Sequence, residues 1–238
     1  MTYTNSPLVD YTQISPHRGS RNGHAIDTIT IHCAAAQAAV ETLGRLFQTK
    51  QASANYGIGA DGRVGMYVEE KDRSWCTSNN ANDARAVTIE VACDNRHPYA
   101  VKDAVYKKLI ALVADVCKRN GIAKLVWSTD KYDRMNHKGG CNMTVHRDYE
   151  NKACPGQWLY ERHGQIAAEV NKRLTEDEEM VRWKTIEDVP GGFYRDTVKQ
   201  LMNDGIIKGK GNGVIDLTED MLRVMIYNKR MIETMLEK

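Results

Sequence analysis

Residues 146–156 read His-Arg-Asp-Tyr-Glu-Asn-Lys-Ala-Cys-Pro-Gly. An imidazole at His146 and a thiol at Cys154 stand eight positions apart, and the ammonium of Lys152 precedes the thiol by two. A second imidazole, His32, closes the β-branched run 26–31. Two imidazoles and one thiolate form a three-ligand zinc set that leaves a fourth position for water. That is the arrangement of hydrolytic zinc sites, whereas structural zinc is usually closed by four protein ligands. A chain carrying such a set would hydrolyse something. Ligands spread from position 32 to position 154 form no compact spacing motif by themselves.

The remaining histidines, His17, His24, His97, His137 and His163, stand in no pattern and read as ordinary surface or core residues. Glu90 is different, because it interrupts the apolar strand-like run 87–92. A carboxylate there is costly unless it is paired or used. The six cysteines form no CxxC pair, so reduced thiols are expected rather than a disulfide framework. Cys93 and Cys117 lie in apolar contexts and read as core, and Cys33 should point away from the side His32 uses.

These groups need elements to hold them. The alternation over 26–32 predicts a strand that ends at the His32 ligand. A helix is expected over 40–49. A hairpin is expected from 55–58 and 63–68, joined by Asp61-Gly62. Strands are expected at 87–92 and 125–127, and a helix at 102–120 from the spacing of Val105, Leu109, Leu112, Val113 and Val116, stopped by Gly121. Residues 1–25 read as an extended arm, 128–142 as a polar loop, and 158–174 as a helix beginning after Pro155 and Gly156. The expected fold class is therefore α/β, a mixed central sheet flanked by helices, over residues 1–174. An acidic linker at 175–180 would lead to a small, mainly helical module at 181–238, with helices at 194–204 and 218–236.

Hydrophobic residues make up 42% and charged residues 27%, as in a globular domain. A net charge of +2 gives no global attraction to nucleic acid, and no apolar run reaches the roughly 20 residues of a membrane span. The first residues show no basic start followed by an apolar core, so no signal peptide is expected.

His32 after a strand, Ser53-Ala54-Asn55-Tyr56 before a hairpin, Trp75, Val87-Thr88-Ile89-Glu90-Val91, and His146-x-Asp148 leading to Lys152-x-Cys154-Pro155-Gly156 together resemble the zinc-dependent N-acetylmuramoyl-L-alanine amidases. These include phage lysozymes and peptidoglycan-recognition proteins. The resemblance covers about residues 24–174. It implies that His32, His146 and Cys154 bind Zn2+, whose water becomes acidic enough to serve at neutral pH. It implies hydrolysis of the amide between N-acetylmuramic acid and L-alanine of the stem peptide. Lys152 is expected to stabilise the developing oxyanion, Tyr56 to orient water or donate to that oxygen, and Glu90 to act as general base or as support for a ligand. Trp75 is either a sugar-stacking platform or ordinary packing, and Asp148 a brace for the ligand loop. Two departures stand out: Cys76 and Asn55 occupy positions where relatives often carry histidine.

Ile186-Glu187-Asp188-Val189-Pro190, Gly205-Ile206-Ile207-Lys208-Gly209 and residues 217–223 resemble a single surface-layer-homology-type repeat. Such a repeat implies attachment to a cell-wall polymer. Self-association through the apolar helix residues Met221, Leu222, Met225 and Ile226 is the other reading, and a purely stabilising appendage a third. The whole is expected to be an endolysin, or an autolysin, with peptidoglycan as its partner, made in the cytoplasm and released by a holin-type route. The rivals are a non-catalytic peptidoglycan-binding protein, against which Cys154 and Lys152 argue, and a zinc peptidase of the stem peptide. For the latter the common HExxH signature is absent.

Overall fold

The stretches Thr28–Cys33 and Ala86–Val91 each alternate between two side-chain characters, and both fold as strands, since β-branched residues suit a pleated surface with two unlike faces. The computed structural model describes residues 3–179 and 182–236, and the chain divides into two units, 1–174 and 175–238.

In the first unit the elements are β1 (Tyr11–Thr12), β2 (Arg18–Ser20), β3 (Thr28–Cys33), α1 (Val40–Thr49), β4 (Tyr56–Ile58), β5 (Val64–Met66), β6 (Asp72–Ser74), α2 (Asn80–Arg85), β7 (Ala86–Val91), α3 (Asp103–Asn120), α4 (Lys131–Met135), β8 (Met143–Thr144) and α5 (Gln157–Glu179). Six strands make one mixed sheet in the order β1-β5-β4-β7-β3-β8, in which only the β4–β5 pair is antiparallel. Strands β2 and β6 form a separate antiparallel pair. The expected α/β class, a mixed central sheet flanked by helices, is what the chain adopts.

Register decides which side chains share a face. His32 pairs with Glu90, and Glu90 with Gly57. One residue earlier, Ile31 pairs with Ile89, and Ile89 with Tyr56. The two faces are therefore a polar one carrying His32 and Glu90, and an apolar one carrying Ile29, Ile31, Ile89 and Tyr56. The apolar face packs into one core with Val105, Leu109, Leu112 and Val116 of α3 and Leu159, Ile166 and Val170 of α5. Helix α3 keeps the expected apolar spacing and ends at Gly121, whose φ of +70° suits glycine. On the polar face, a Cβ at Gly57 would come within 2.9 Å of Leu43 of α1 and 2.8 Å of the Tyr67 ring, so only glycine lets these groups lie down on the sheet.

Three expectations differ from the structure. The arm 1–25 contributes β1, which pairs parallel with β5, and β2. Residues 125–127 form no strand, because side-chain amides take the place of a ladder: Asn142 Oδ1 accepts from Val126 N at 2.8 Å, and Asn171 Oδ1 accepts from Leu125 N at 2.7 Å. The strand that flanks β3 is β8 instead. The loop 128–142 contains α4, started by Asp130, whose carboxylate accepts from the N–H groups of Tyr132 and Asp133. The acidic run is also not a linker throughout, since α5 continues to Glu179; residue 180 lies outside the described residues.

The second unit holds β9 (Arg182–Trp183), α6 (Phe193–Asn203), β10 (Leu217–Thr218) and α7 (Glu219–Leu236), with β9 and β10 antiparallel. Its core gathers Trp183, Val189, Val198, Leu201, Ile207, Ile215, Leu217 and Leu222. Of the four residues proposed for self-association, Leu222 belongs to this core and Met225 and Ile226 pack against it, leaving Met221 exposed. That part of the helix is occupied by its own unit. No helix among the described residues is long and apolar enough to cross a membrane.

Candidate metal centre and active site

Strand β3 delivers His32 at its penultimate position, fully buried. His146 opens a single 3-10 turn, His146–Asp148, immediately after β8, which itself pairs with β3. Beneath that turn, Asp148 accepts from Arg134 Nε at 2.7 Å and Nη2 at 2.6 Å, a bidentate pair 2% and 1% exposed. Arg134 also lies over the Trp127 ring at 4.6 Å. Asp148 thus braces the ligand turn as expected. Its partner Arg134 gave no sequence signal, because the pairing spans a loop of unpredictable path. Cys154 follows, with Arg147 N donating to its carbonyl at 3.2 Å.

These three side chains converge. Their ligand atoms all lie within 4.8 Å of one another. Cys154 Sγ is 3.4 Å from His32 Nδ1, and the His32 and His146 rings stand 5.2 Å apart at 60°. Bond lengths of about 2.0–2.3 Å at a tetrahedral angle put zinc ligands about 3.3–3.8 Å apart, so the spacing suits one ion. The electrostatics suit it as well. Burial holds both imidazoles below their ordinary value, His32 at about 3, so they are neutral donors ready for a cation. His32 Nε2 is buried with no hydrogen-bond partner among the described residues, a cost the fold bears at this place. The donor set of two imidazoles and one thiol therefore fits zinc.

Glu90 sits beside His32 across the β3–β7 ladder. Its Oε2 is buried without a partner, and burial pushes its carboxyl up to about 7. Cys76 joins it: one His32 nitrogen, a Glu90 oxygen and Cys76 Sγ also lie within 4.8 Å of one another. Cys76 is set in place by Asp83, whose Oδ2 accepts from the N–H groups of Cys76 at 3.0 Å and Thr77 at 3.1 Å. Cys33 is half-buried and packs on the apolar core, as expected, and its thiol also meets those of Cys93 and Cys154.

Lys152 is exposed at the mouth of this cluster. Its Nζ is 3.7 Å from Glu150 Oε2, and the same oxygen lies 3.5 Å from His146 Nε2. A cleft of about 400 Å³ runs past Lys152, Glu150 and Arg147 to His97 and Tyr99, and a second of about 520 Å³ continues from His97 to Arg96, Asp94 and Gln37. His97 and Glu150 line this ground although the sequence gave no pattern for either. Trp75 is 38% exposed, next to Cys76 in the chain, with its ring 5.5 Å from that of His17.

Tyr56 is not brought to the cluster. It lies on the apolar face with no exposure, donating to Glu70 Oε1 at 2.6 Å and accepting from Ser6 N at 2.9 Å. Glu70 further accepts from Arg119 Nη2 at 2.5 Å and Asn120 Nδ2 at 2.8 Å. The catalytic expectation for Tyr56 is corrected by one step of register: Gly57, not Tyr56, pairs with Glu90.

Comparison with known proteins bears on this geometry. Among curated proteins no relative matches the chain. Among solved structures, a selenomethionine derivative of AmpD is 18% identical, covering 70% of this chain and 99% of that one, with a TM-score of 0.50. The LysCS endolysin amidase from Clostridium intestinale is 18% identical, covering 71% and 99%, with a TM-score of 0.48. A mutant endolysin from Bacillus subtilis is 15% identical, covering 68% and 99%, with a TM-score of 0.48. The AmpD likeness supports the fold. The family model described as N-acetylmuramoyl-L-alanine amidase (Amidase_2) matches residues 22–157, more than half of the chain and all of the cluster, and the chain belongs to that family.

Proposed function

We propose that the protein is a zinc-dependent peptidoglycan amidase that hydrolyses the bond between the lactyl group of N-acetylmuramic acid and L-alanine of the stem peptide. The observation that carries this is the convergence of His32 near the end of β3, His146 just after β8 and Cys154 in the segment before α5. His32, His146 and Cys154 would hold the ion. A bound zinc supplies an acidified water and polarises a carbonyl. Glu90, with a carboxyl near 7, is poised to take a proton from water and return it to the leaving amine. Lys152 brings an ammonium to the cleft mouth, where it can meet charge developing on the carbonyl oxygen. The exposed Trp75 ring offers a face for a sugar at the rim. The experiment is Cys154→Ser. Zinc content should fall together with release of stem peptides from purified wall, by more than about 100-fold, the upper end of what loss of a mere supporting residue costs. Mass analysis of wild-type products should find L-alanine at the free peptide end. L-alanine left on the sugar would make the enzyme a peptidase, and full activity without zinc would overturn the mechanism.

The resemblance also supports an endolysin role, with release to the wall after synthesis in the cytoplasm and residues 181–238 acting as a module that holds a wall polymer. A chain of residues 1–179 keeps all of α5. It should cleave soluble muropeptides at the full rate while binding whole walls at least about tenfold more weakly. Unchanged wall binding would reject the anchoring role.

A further inference from the structure

We propose that Cys76, Glu90 and His32 form a second metal site, behind the first, that captures a thiophilic divalent cation and competes with the outer triad for His32. The three ligand atoms lie within 4.8 Å of one another. Two of the three side chains present buried atoms with no hydrogen-bond partner, Nε2 of the fully buried His32 and Oε2 of Glu90. The third is delivered by a fixed backbone: Asp83 holds the N–H groups of Cys76 and Thr77, and Ser53 Oγ accepts from Trp75 N at 2.9 Å. Asp83 is itself fastened by Thr77 Oγ1 at 2.6 Å.

One nitrogen, one carboxylate oxygen and one sulfur form a borderline-soft set. It favours Zn2+ or Cd2+ over Mg2+ and Ca2+, which seek oxygen alone. Binding replaces the thiol proton, Cys–SH + M2+ giving Cys–S–M+ + H+, with no change of oxidation state. The cation would supply the partner that the Glu90 oxygen lacks among the described residues. Because His32 belongs to both groups, with Nδ1 beside Cys154 and Nε2 without a partner, a cation on its inner nitrogen withdraws electrons from the ring and weakens its hold on a cation shared with His146 and Cys154. Because Glu90 becomes a ligand, it is no longer free to move a proton. The consequence is inhibition by excess zinc or by cadmium. The competition, though not the inner site itself, rests on the outer triad being the catalytic metal site.

The test uses the full chain and Cd2+ alone. Cys154→Ser should still bind about one Cd2+ per chain with the ultraviolet charge-transfer band of a cadmium thiolate. The band should vanish in Cys154→Ser/Cys76→Ser, with circular dichroism showing both variants folded. In the otherwise intact enzyme, Cys76→Ala should raise the zinc concentration that half-inhibits wall cleavage by about tenfold, as expected for losing one ligand. Absence of the band from folded Cys154→Ser, its persistence in the double variant, or unchanged zinc inhibition in Cys76→Ala would each overturn the proposal. If instead Cys76→Ser binds no zinc while Cys154→Ser binds cadmium normally, the outer triad is the reading that fails.

Discussion

Two carboxylates lie on opposite faces of the same sheet, Glu70 fully buried and Glu90 half-buried with one oxygen out of reach of solvent, and the chain treats them in opposite ways. Glu70, on the side of α3, has both oxygens filled by Tyr56, Arg119 and Asn120. Glu90, on the side of His32, has an Oε2 with no partner. A buried carboxylate with its donors supplied holds the N-terminal arm, the β5–β6 connection and α3 together. A carboxylate with a buried oxygen left unsupplied costs stability and stays chemically available. The difference separates scaffold from site more sharply than burial or charge does.

The largest test of this contrast is catalytic. Glu90→Gln should lower kcat on soluble muropeptides by about 10²–10⁴-fold without lowering the melting temperature of the protein, because no donor is abandoned. A drop in stability would mean that Glu90 has a structural partner and that the contrast fails. On the other face, Glu70→Ala should cost about 3 kcal/mol in urea unfolding, since Tyr56, Asn120 and Nη2 of Arg119 lose their acceptor while Asp115 still pairs with Arg119 Nε. A loss below about 1 kcal/mol would remove Glu70 as the opposite pole.

Next in size is the pH dependence of the metal-free protein. Burial holds Glu90 at about 7, above its ordinary 4.5. The folded chain therefore keeps a proton there that the unfolded chain gives up, and stability present below about 4.5 is lost as pH rises through 7. His32, held at about 3 instead of 6.5, works in the other direction, and its contribution grows as pH rises from about 3 to 6.5. Denaturation at pH 5 and pH 8 should thus show Glu90→Gln gaining on the wild type by up to about 3 kcal/mol at the higher value. The smallest effect is that of Tyr56→Phe. It should cost about 1–3 kcal/mol by leaving Ser6 N and Glu70 without the hydroxyl, with kcat unchanged. A fall in kcat at constant stability would return Tyr56 to the active site.

The three metal-ligand candidates were legible in the sequence because their types and their places beside patterned segments are local facts. So was the polar face, since 28–32 and 88–90 put threonine, histidine and glutamate on every second position. What was not legible depends on partners chosen from far away. The side that Tyr56 takes is set by its register with β7, 33 positions on, at Ile89. Arg134 beneath Asp148, Asp83 behind Cys76, and the pairing of β1 with β5 have no periodic signature, since each is a single contact closed by the finished fold. Strand β8, two residues long, is too short to carry a pattern at all.

That short strand has a consequence in time. Thr144 meets Thr30 through their hydroxyls at 2.7 Å across 114 positions of chain. His146 reaches His32 only once that long loop has closed, and parallel pairings of this range are slow to form. An ion therefore finds no assembled site on the nascent or partly folded chain and cannot guide its early steps. On the proposed zinc reading the chain would fold first and acquire its metal afterwards, so zinc supply should govern activity without governing yield.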